Sequence, residues 1–449
     1  MKTQALTVAM NGDVVGTLYR DGTGAMSFEY TPEWLSEPGS RAISLSLPLQ
    51  HNRIRGKEVF NFFSNLLPDS EAIIARMQAR FHVDTTHPFD LLASVGRDCV
   101  GAIQLYPSGS DIPSVMEIRA EPLDDHQIET LLDGYQTAPL GMEEGADFRI
   151  SLAGAQEKTA LLRYQNCWQR PQGSTPTSHI FKLPIGRIEQ NNIDLRESCE
   201  NEWLCLRIAK AFGFPAADAE LTVFGQKKVL IVGRFDRKWS ENGWLMRLPQ
   251  EDFCQALGVS PALKYESHGG PGIADAMNLL LGSRLATQDR ELFFKSQILF
   301  WMLAAIDGHG KNFSLFIEPE TSFRMTPLYD VMSAFPIFGS RSIPLKKAKM
   351  AMALYGKNKQ YNFAMIQPRH FISTAARVGF SQDTARHLML EMASCADAVI
   401  ATVATELPAD FPQHISDAIF KGLSGQAAKI VKWGEADLIL TTKCGHYSK

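Results

Sequence analysis

The chain has 449 residues, with 45 basic and 49 acidic side chains, a formal charge of −4, and 45% hydrophobic and 21% charged content. These proportions are those of a globular protein with room for two or three domains of about 150 residues, and they exclude collagen-like, fibrous and disordered classes. The slight acidity argues against a non-specific nucleic-acid binder, while leaving room for a local basic patch.

The first hundred residues read as β-rich with one helical insert. Ala5 to Met10 and Asp13 to Tyr19 flank Asn11-Gly12, the dipeptide that suits a type I′ hairpin turn because both central residues need positive φ. Ile43, Leu45 and Leu47 alternate with serines and predict another strand. Glu58 to Phe81 predicts a helix interrupted at Pro68 and restarted by the cap-like Asp69-Ser70. Tyr106 to Asp125, rich in Pro, Ser and charge, is a plausible boundary. Thr159 to Tyr164 and His179 to Leu183 carry strand signals. Glu197 to Phe212 has helical apolar spacing and stops at Gly213, and Leu221 to Val223 and Val229 to Phe235 return to strand. Beyond Leu248 helices dominate. They include an apolar one over Asp289 to Ile306, which we expect to run to Asp307, and others from Pro368 to Lys432. A hairpin is predicted at Phe313 to Ile317 and Phe323 to Pro327. The expected organisation is a β-rich subdomain over 1–110, a mixed lobe over 111–248, an α-helical lobe over 249–433 and a mobile tail over 434–449.

The longest apolar run, Ile298 to Ile306, is short of the ~20 residues of a membrane span. Met1 to Ala5 starts no signal-peptide apolar region and neither end carries a lipidation motif, so the expectation is a cytoplasmic protein with no membrane partner. Seven scattered cysteines without a CxxC suggest buried reduced thiols in place of a zinc module or disulfide framework. The absence of HExxH, GxSxG, GxxxxGK[ST] and GxGxxG removes most support for zinc or serine hydrolysis and for Rossmann dinucleotide binding.

The informative stretch is Ala304-Ala305-Ile306-Asp307-Gly308-His309-Gly310-Lys311-Asn312-Phe313. Two glycines allow a tight turn beneath a ligand. Asp307 and Asn312 have the Asp-x4-Asn spacing of a kinase catalytic loop, where the Asp accepts the substrate hydroxyl proton and the Asn oxygen holds Mg²⁺. Spacing alone is weak, but the following hairpin returns Leu328-Tyr329-Asp330, which puts Asp330 where the second metal-binding carboxylate belongs. Upstream, Lys182 sits in an otherwise apolar strand, either as an edge guard or as a phosphate ligand. Glu200 or Glu202 on the next helix can orient it, and Glu202 is the candidate. Ser151-Leu152-Ala153-Gly154-Ala155-Gln156-Glu157-Lys158 is small-residue-rich, precedes a strand, and can form a phosphate nest.

At these residues the chain resembles the HipA family, the serine/threonine kinase toxins of HipBA toxin–antitoxin modules. The resemblance is densest in Asp147 to Leu162, Arg234-Phe235-Asp236-Arg237, Arg247 to Asp252, Lys264-Tyr265-Glu266-Ser267 and Asp307 to Ser314. It implies an α+β, two-lobed protein-kinase-like fold, ATP and Mg²⁺ as cofactors, and transfer of the γ-phosphoryl group to a protein serine. It makes Asp307 the base, Asn312 and Asp330 the metal ligands, Lys182 the phosphate lysine, and Ala153, Gly154, Ala155, Gln156, Glu157 and Lys158 the phosphate loop. Gly233, Arg234 and Phe235 fall at the adenine linker, and His309, Lys311 and Tyr329 belong to the same pocket. Ser151 matches an autophosphorylated serine whose modification would expel the loop and silence the kinase.

The resemblance also implies a HipB-type DNA-binding antitoxin as partner and operator DNA reached through it. The implied protein substrate lies in translation, notably an aminoacyl-tRNA synthetase, whose phosphorylation would arrest growth and favour persistence. Two positions depart from the family pattern. Gly233 stands where a close member is acidic, so adenine would be read there by backbone groups. On the helix from Pro368 to Phe380, Ala376 and Gly379 replace basic positions and leave Arg377, which weakens direct DNA contact. The competing readings are a catalytically silent corepressor scaffold and a small-molecule or lipid kinase. Lys346, Lys347, Lys349, Lys357 and Lys359 form a basic stretch that is either a solvated face or a contact for nucleic acid.

Overall fold

A computed structural model of the chain describes residues 4–134, 152, 156, 158–188, 192–339 and 342–444, with backbone alone for 437–444. Asn11 and Gly12 take φ values of 49° and 94°, the positive pair that a two-residue hairpin needs. They join β1 (Gln4–Met10) to β2 (Asp13–Arg20). With β3 (Met26–Tyr30), β4 (Ile54–Arg55) and β5 (Ile103–Pro107) these strands form a sheet of order β4-β3-β2-β1-β5. One face of the sheet buries Leu6, Val8, Leu18 and Phe28 against Phe62, Phe63 and Leu92. Those partners come from two of the four helices of this subdomain, α1 (Pro32–Ser36), α2 (Lys57–Ser64), α3 (Glu71–Arg80) and α4 (Pro88–Val95). The cap-like serine acts as expected, since Ser70 Oγ accepts from Ile73 N–H at the start of α3.

The alternating Ile43, Leu45 and Leu47 do not form a strand; the segment is irregular with one isolated bridge. Its serines take its hydrogen bonds elsewhere. Ser46 N–H donates to Ser44 Oγ, and Ser46 Oγ donates to Gln255 O at 2.7 Å, so local polar side chains compete with a ladder.

The second sheet contains β6 (Ala120–Pro122), β7 (Lys158–Tyr164), β8 (Cys167–Pro171), β9 (His179–Lys182), β12 (Ala219–Phe224) and β13 (Lys227–Gly233) in the antiparallel order β12-β13-β9-β7-β8-β6. α5 (Asp125–Asp133) packs Ile128 and Leu132 on Phe181 and Ile231. A small hairpin of β10 (Gly186–Ile188) and β11 (Ile193–Leu195) leads into α6 (Ser198–Ala211). Gly213 ends that helix at φ 81°, a value that favours glycine. The N-terminal core extends onto this lobe through Leu152, Ala160 and Ile180.

β14 (Arg237–Trp239), β15 (Leu245–Arg247) and β16 (Gln250–Asp252) lead into the helical lobe, which starts with α7 (Phe253–Ala256), α8 (Ile273–Leu279) and α9 (Ala286–Met302). The apolar α9 stops at Met302 and not at Asp307. Ala304 takes φ 50°, its N–H donates to Trp301 O and Ala305 N–H donates to Phe300 O at 2.7 Å. This is a Schellman ending with alanine in the place where glycine would have signalled it. β17 (Ser314–Ile317) pairs with β16 and with β18 (Phe323–Met325). After β19 (Lys349–Tyr355) and β20 (Lys359–Asn362) come α10 (Pro368–Arg377), α11 (Gln382–Ala404) and α12 (Gln413–Cys444). The last helix runs on through Gly434 to Cys444, where the mixed polarity of the sequence predicts a tail. By length and hydropathy α11 could cross a membrane. Its apolar residues, among them Leu388, Met389, Met392 and Val399, are instead buried in the core of this lobe.

The fold is therefore α+β and two-lobed, with the N-terminal subdomain docked on both lobes. Docking uses specific polar contacts. Leu45 N–H donates to Glu251 Oε1 at 2.8 Å, Asn61 Nδ2 to Gly258 O at 2.8 Å, and Asn65 Nδ2 to Val259 O at 2.9 Å. Burial pushes the Glu251 carboxyl up to about 8. Where the two sheets meet lies a closed ionic cluster. Asp98 accepts from Arg237 Nη2 at 2.9 Å, Arg247 Nε at 3.0 Å and Arg234 Nη1 at 3.2 Å, and Asp236 pairs with Arg234 at 2.9 Å. Burial alone would raise the Asp98 carboxyl, but the guanidiniums of Arg237, Arg247 and Arg234 hold it far below the usual range.

Candidate active site

Between the lobes lies a cleft of about 410 Å³ lined by Lys158, Lys182, Glu202, Phe235, Asp307, His309, Lys311, Asn312, Tyr329 and Asp330. Its size is that of a small-molecule pocket. The structure thus brings Lys158 and Asp330, 172 positions apart in sequence (330 − 158), to one cavity.

The β lobe supplies the cations. Lys182, at the end of the central strand β9, points inward and donates to Glu202 Oε1 and Oε2 at 2.7 and 2.9 Å and to Asp330 Oδ1 at 3.1 Å. Of the two helix glutamates only Glu202 reaches it, because Glu200 pairs with Lys228. Burial pulls the Lys182 ammonium down, yet Asp330 and Glu202 outweigh it and hold the group charged. Burial pushes Glu202 above the ordinary carboxylate range even beside this lysine. Lys158 faces Lys182 across the β7–β9 register. Burial, then the like charge of Lys182, lowers Lys158 to about 8. Gln156 Nε2 donates to Leu183 O at 2.7 Å. Ser151, Ala153, Gly154, Ala155 and Glu157 of the predicted phosphate loop lie outside the described residues.

The helical lobe supplies the carboxylates. After α9, residues 303–313 form an irregular loop closed by a short 3₁₀ turn, Gly310–Asn312. Its glycines make room for close packing and neither takes a positive φ. A Cβ on Gly308 would lie 2.3 Å from the Phe300 ring, and one on Gly310 would lie 3.0 Å from Cys254 Sγ. Asp307 Oδ1 accepts from Tyr265 OH at 2.6 Å. Asn312 Nδ2 donates to Asp330 Oδ2 at 3.1 Å, while its Oδ1 accepts from His309 N–H at 3.1 Å. Asp330 adopts φ 56°, a left-handed conformation that aspartate tolerates better than most residues. Its side chain keeps 38% exposure at the cleft. Burial would raise its carboxyl, but Lys182 and then Lys158 hold it well below the usual range.

The adenine-linker positions divide. Gly233 N–H donates to Asp218 O and Arg234 N–H to Ser178 O, so both donors serve the backbone. The Arg234 side chain leaves the cleft for the Asp98 cluster. Phe235 turns its ring toward Phe316 and Tyr329, with centroids 5.9 and 5.6 Å away, and with Ile180, Val232 and Met332 makes an apolar wall. Tyr329 OH donates to Lys311 O at 2.8 Å. The His309 ring sits edge-on to Tyr265 at 5.0 Å, and burial lowers its pKa.

Asp330 offers carboxylate oxygens beside the Asn312 amide, whose nitrogen faces it; a small divalent cation would fit here with the Asn312 oxygen turned to Asp330 in place of that nitrogen. Among the described residues no group of three His, Cys, Asp or Glu side chains forms a metal cage. A cation held here would keep water or ligand phosphates in its other positions, as Mg²⁺ does.

Sequence reasoning placed Lys311 in the pocket but missed Asp69 and Asn65, the residues that hold it. Lys311 is buried with 4% side-chain exposure, and its Nζ donates to Asp69 Oδ1 and Asn65 Oδ1, both at 2.9 Å. Lys264 Nζ meets the other Asp69 oxygen at 3.1 Å, and Asp252 lies 3.9 Å from Lys311. Asp69 reads locally as a helix-start residue, and only its position beside Pro68, where the helix breaks, hints at an inward loop. Of the basic stretch, Lys359 pairs with the buried Glu266 at 2.7 Å; on the separate helix α10, Arg377 lies over the Tyr355 ring at 4.4 Å.

Comparison with known proteins agrees with this architecture. The HipA-like C-terminal domain family matches residues 150–400, and the HipA N-terminal domain family matches residues 6–106. Y4mE of Sinorhizobium fredii, a kinase by name only, is 34% identical over 79% of this chain and 81% of its own. The serine/threonine-protein kinase toxin HipA of Shewanella oneidensis is 27% identical over 74% of this chain and 76% of its own. Among solved structures, the complex of Shewanella oneidensis HipA, HipB and operator DNA shares the fold with a TM-score of 0.78. The likeness covers 94% of this chain and 96% of that one at 22% identity. By its domain matches and by these relatives, the chain belongs to the HipA family.

Proposed function

We propose that the chain is an ATP- and Mg²⁺-dependent protein serine/threonine kinase and the toxin of a toxin–antitoxin pair. The observation that carries this reading is the single chain of contacts Glu202–Lys182–Asp330–Asn312 in one cleft with Asp307. Each member matches a need of phosphoryl transfer: an oriented cation for phosphate, a carboxylate and a neighbouring amide for metal, and a carboxylate for the acceptor proton. The oxygen of a substrate serine attacks the γ-phosphorus of ATP as its proton passes to Asp307. The bond from that phosphorus to the β–γ bridging oxygen breaks, leaving ADP and a phosphoserine. Bound Mg²⁺ supplies charge neutralisation to the phosphates, and Asp330 and Asn312 would hold it. Lys182, fixed by Glu202, would let Asp330 go to the metal and take phosphate oxygens. Phe235, Ile180 and Val232 form the wall against which an adenine would pack.

The finer parts of the reading rest on family membership. They are a substrate in the translation machinery, notably an aminoacyl-tRNA synthetase, self-inactivation by phosphorylation of Ser151, and corepression of operator DNA through a HipB-type antitoxin. The Asp307–Tyr265 pair and the intact oxygen donors favour catalysis over a silent scaffold, which needs neither. Incubation with γ-labelled ATP, a generic protein acceptor and Mg²⁺ tests the activity. Label should appear with wild type and disappear with Lys182→Met, Asp307→Asn or EDTA. Equal labelling by all of them would refute the assignment.

A further inference from the structure

The catalytic loop is held from outside the kinase lobes. The loop between α2 and α3 inserts Asn65 and Asp69 into the cleft wall, and both line the same cavity as Asp307. Asp69 divides its carboxylate between two lysines: Oδ1 takes Lys311, one residue before Asn312, and Oδ2 takes Lys264, one residue before Tyr265. Tyr265 in turn donates to Asp307. One buried carboxylate thus pins the two segments that carry the metal-ligand asparagine and the hydrogen-bond donor of the base. Asn65 anchors this insertion: its Nδ2 donates to Asn61 O and Val259 O, and its Oδ1 accepts from Lys311 Nζ.

Resting on the kinase reading above, we propose that Asp69 of the N-terminal subdomain is a positioning residue for phosphoryl transfer. It sets Asn312 and Asp307 through Lys311 and Lys264 without touching nucleotide. The N-terminal subdomain is then an integral part of the catalytic unit, in addition to any role in partner binding. The ionic state required is the natural one: burial would raise the Asp69 carboxyl, but Lys311 and Lys264 hold it below its ordinary value.

The test uses the full-length chain with Asp69→Asn, which keeps the shape, and Asp69→Glu, which keeps the charge. For each, the maximal rate of label transfer from γ-labelled ATP and the half-saturating ATP concentration are measured. Hydrogen exchange of the peptide covering residues 304–313 is followed against that of α9 and α11. The expected result for Asp69→Asn is a maximal rate at least tenfold lower, half-saturation within about threefold of wild type, and faster exchange confined to 304–313. Asp69→Glu should recover part of the rate. An unchanged rate would overturn the proposal, as would a loss of rate that tracks loss of ATP affinity and faster exchange throughout the lobe. If Asp69→Asn does not fold, Asp69→Glu decides by the same three readouts. If the wild type transfers no label, the kinase reading fails, and the exchange of 304–313 alone decides whether Asp69 holds the loop.

Discussion

Two ionic networks of similar make-up serve different ends in this protein. In the cluster around Asp98, the acid is shared by three arginines that are 0–2% exposed, and every charge faces another charge or a backbone carbonyl. In the cleft network, Lys182 is also buried, at 8% exposure, but it bridges to an Asp330 that is 38% exposed on the cavity. The first network pairs its charges with one another and leaves its side chains only 0–6% exposed, although Arg234 and Asp236 border the cleft. The second ends in groups whose partners a phosphate and a metal ion could replace. Burial and charge count do not separate a structural network from a functional one; the presence of an open end does.

This contrast can be broken by substitution. The largest effect is expected at the open end. Asp330→Ala should lower phosphoryl transfer by about 10³-fold while the thermal midpoint moves little, because Lys182 keeps Glu202. Asp98→Ala should do the reverse. Three arginines would be left without their shared acceptor, which costs about 3–5 kcal/mol for a broken buried pair. Calorimetry should show a large fall in midpoint, and the transfer rate per folded molecule in the cold should stay within about threefold of wild type. A comparable loss of rate in Asp98→Ala would mean that the closed cluster also shapes the site.

Smaller effects sharpen the same picture. Tyr265→Phe removes one hydrogen bond to a charged acceptor, and a loss of about tenfold in maximal rate is expected, with ATP affinity unchanged. Lys158, lowered to about 8 from its ordinary 10.5, gives a pH signature. Its charge is lost as pH rises through about 8, so ATP affinity should weaken across that range, and Lys158→Met should flatten the profile. The sign for stability is opposite. From pH 8 to 10.5 the unfolded chain binds more protons at this lysine than the folded one, so its contribution to stability rises with pH there. ATP titrations and denaturation midpoints across pH 7–10 check both.

Much of the site was legible because its chemistry is carried by short motifs on predictable elements. Asp307 and Asn312 share one loop, Asp330 follows a short hairpin predicted from the sequence, and Lys182 interrupts an apolar strand. The order of β-rich, mixed and helical parts was legible from punctuation such as Asn11-Gly12 and Gly213, while the two-lobed fold class came from the family resemblance. What escaped was tertiary. Asp69 meets Lys311 across 242 positions and Asp98 meets Arg247 across 149, and neither acid differs locally from a solvated one. Arg234 has the right place for a linker residue, yet its side chain serves the closed cluster. The end of α9 was hidden because alanine occupies the left-handed position, and the Ile43–Leu47 alternation misled because serine hydroxyls took the segment's hydrogen bonds.

The most direct test of the central claim is intact mass after incubation of unmodified protein with ATP and Mg²⁺, for wild type, Ser151→Ala and Asp307→Asn. The account predicts one added phosphate on wild type and none on either variant, which would establish transfer through Asp307 and assign Ser151 as the acceptor. No added mass on any of the three, from a sample shown to bind ATP, would contradict it.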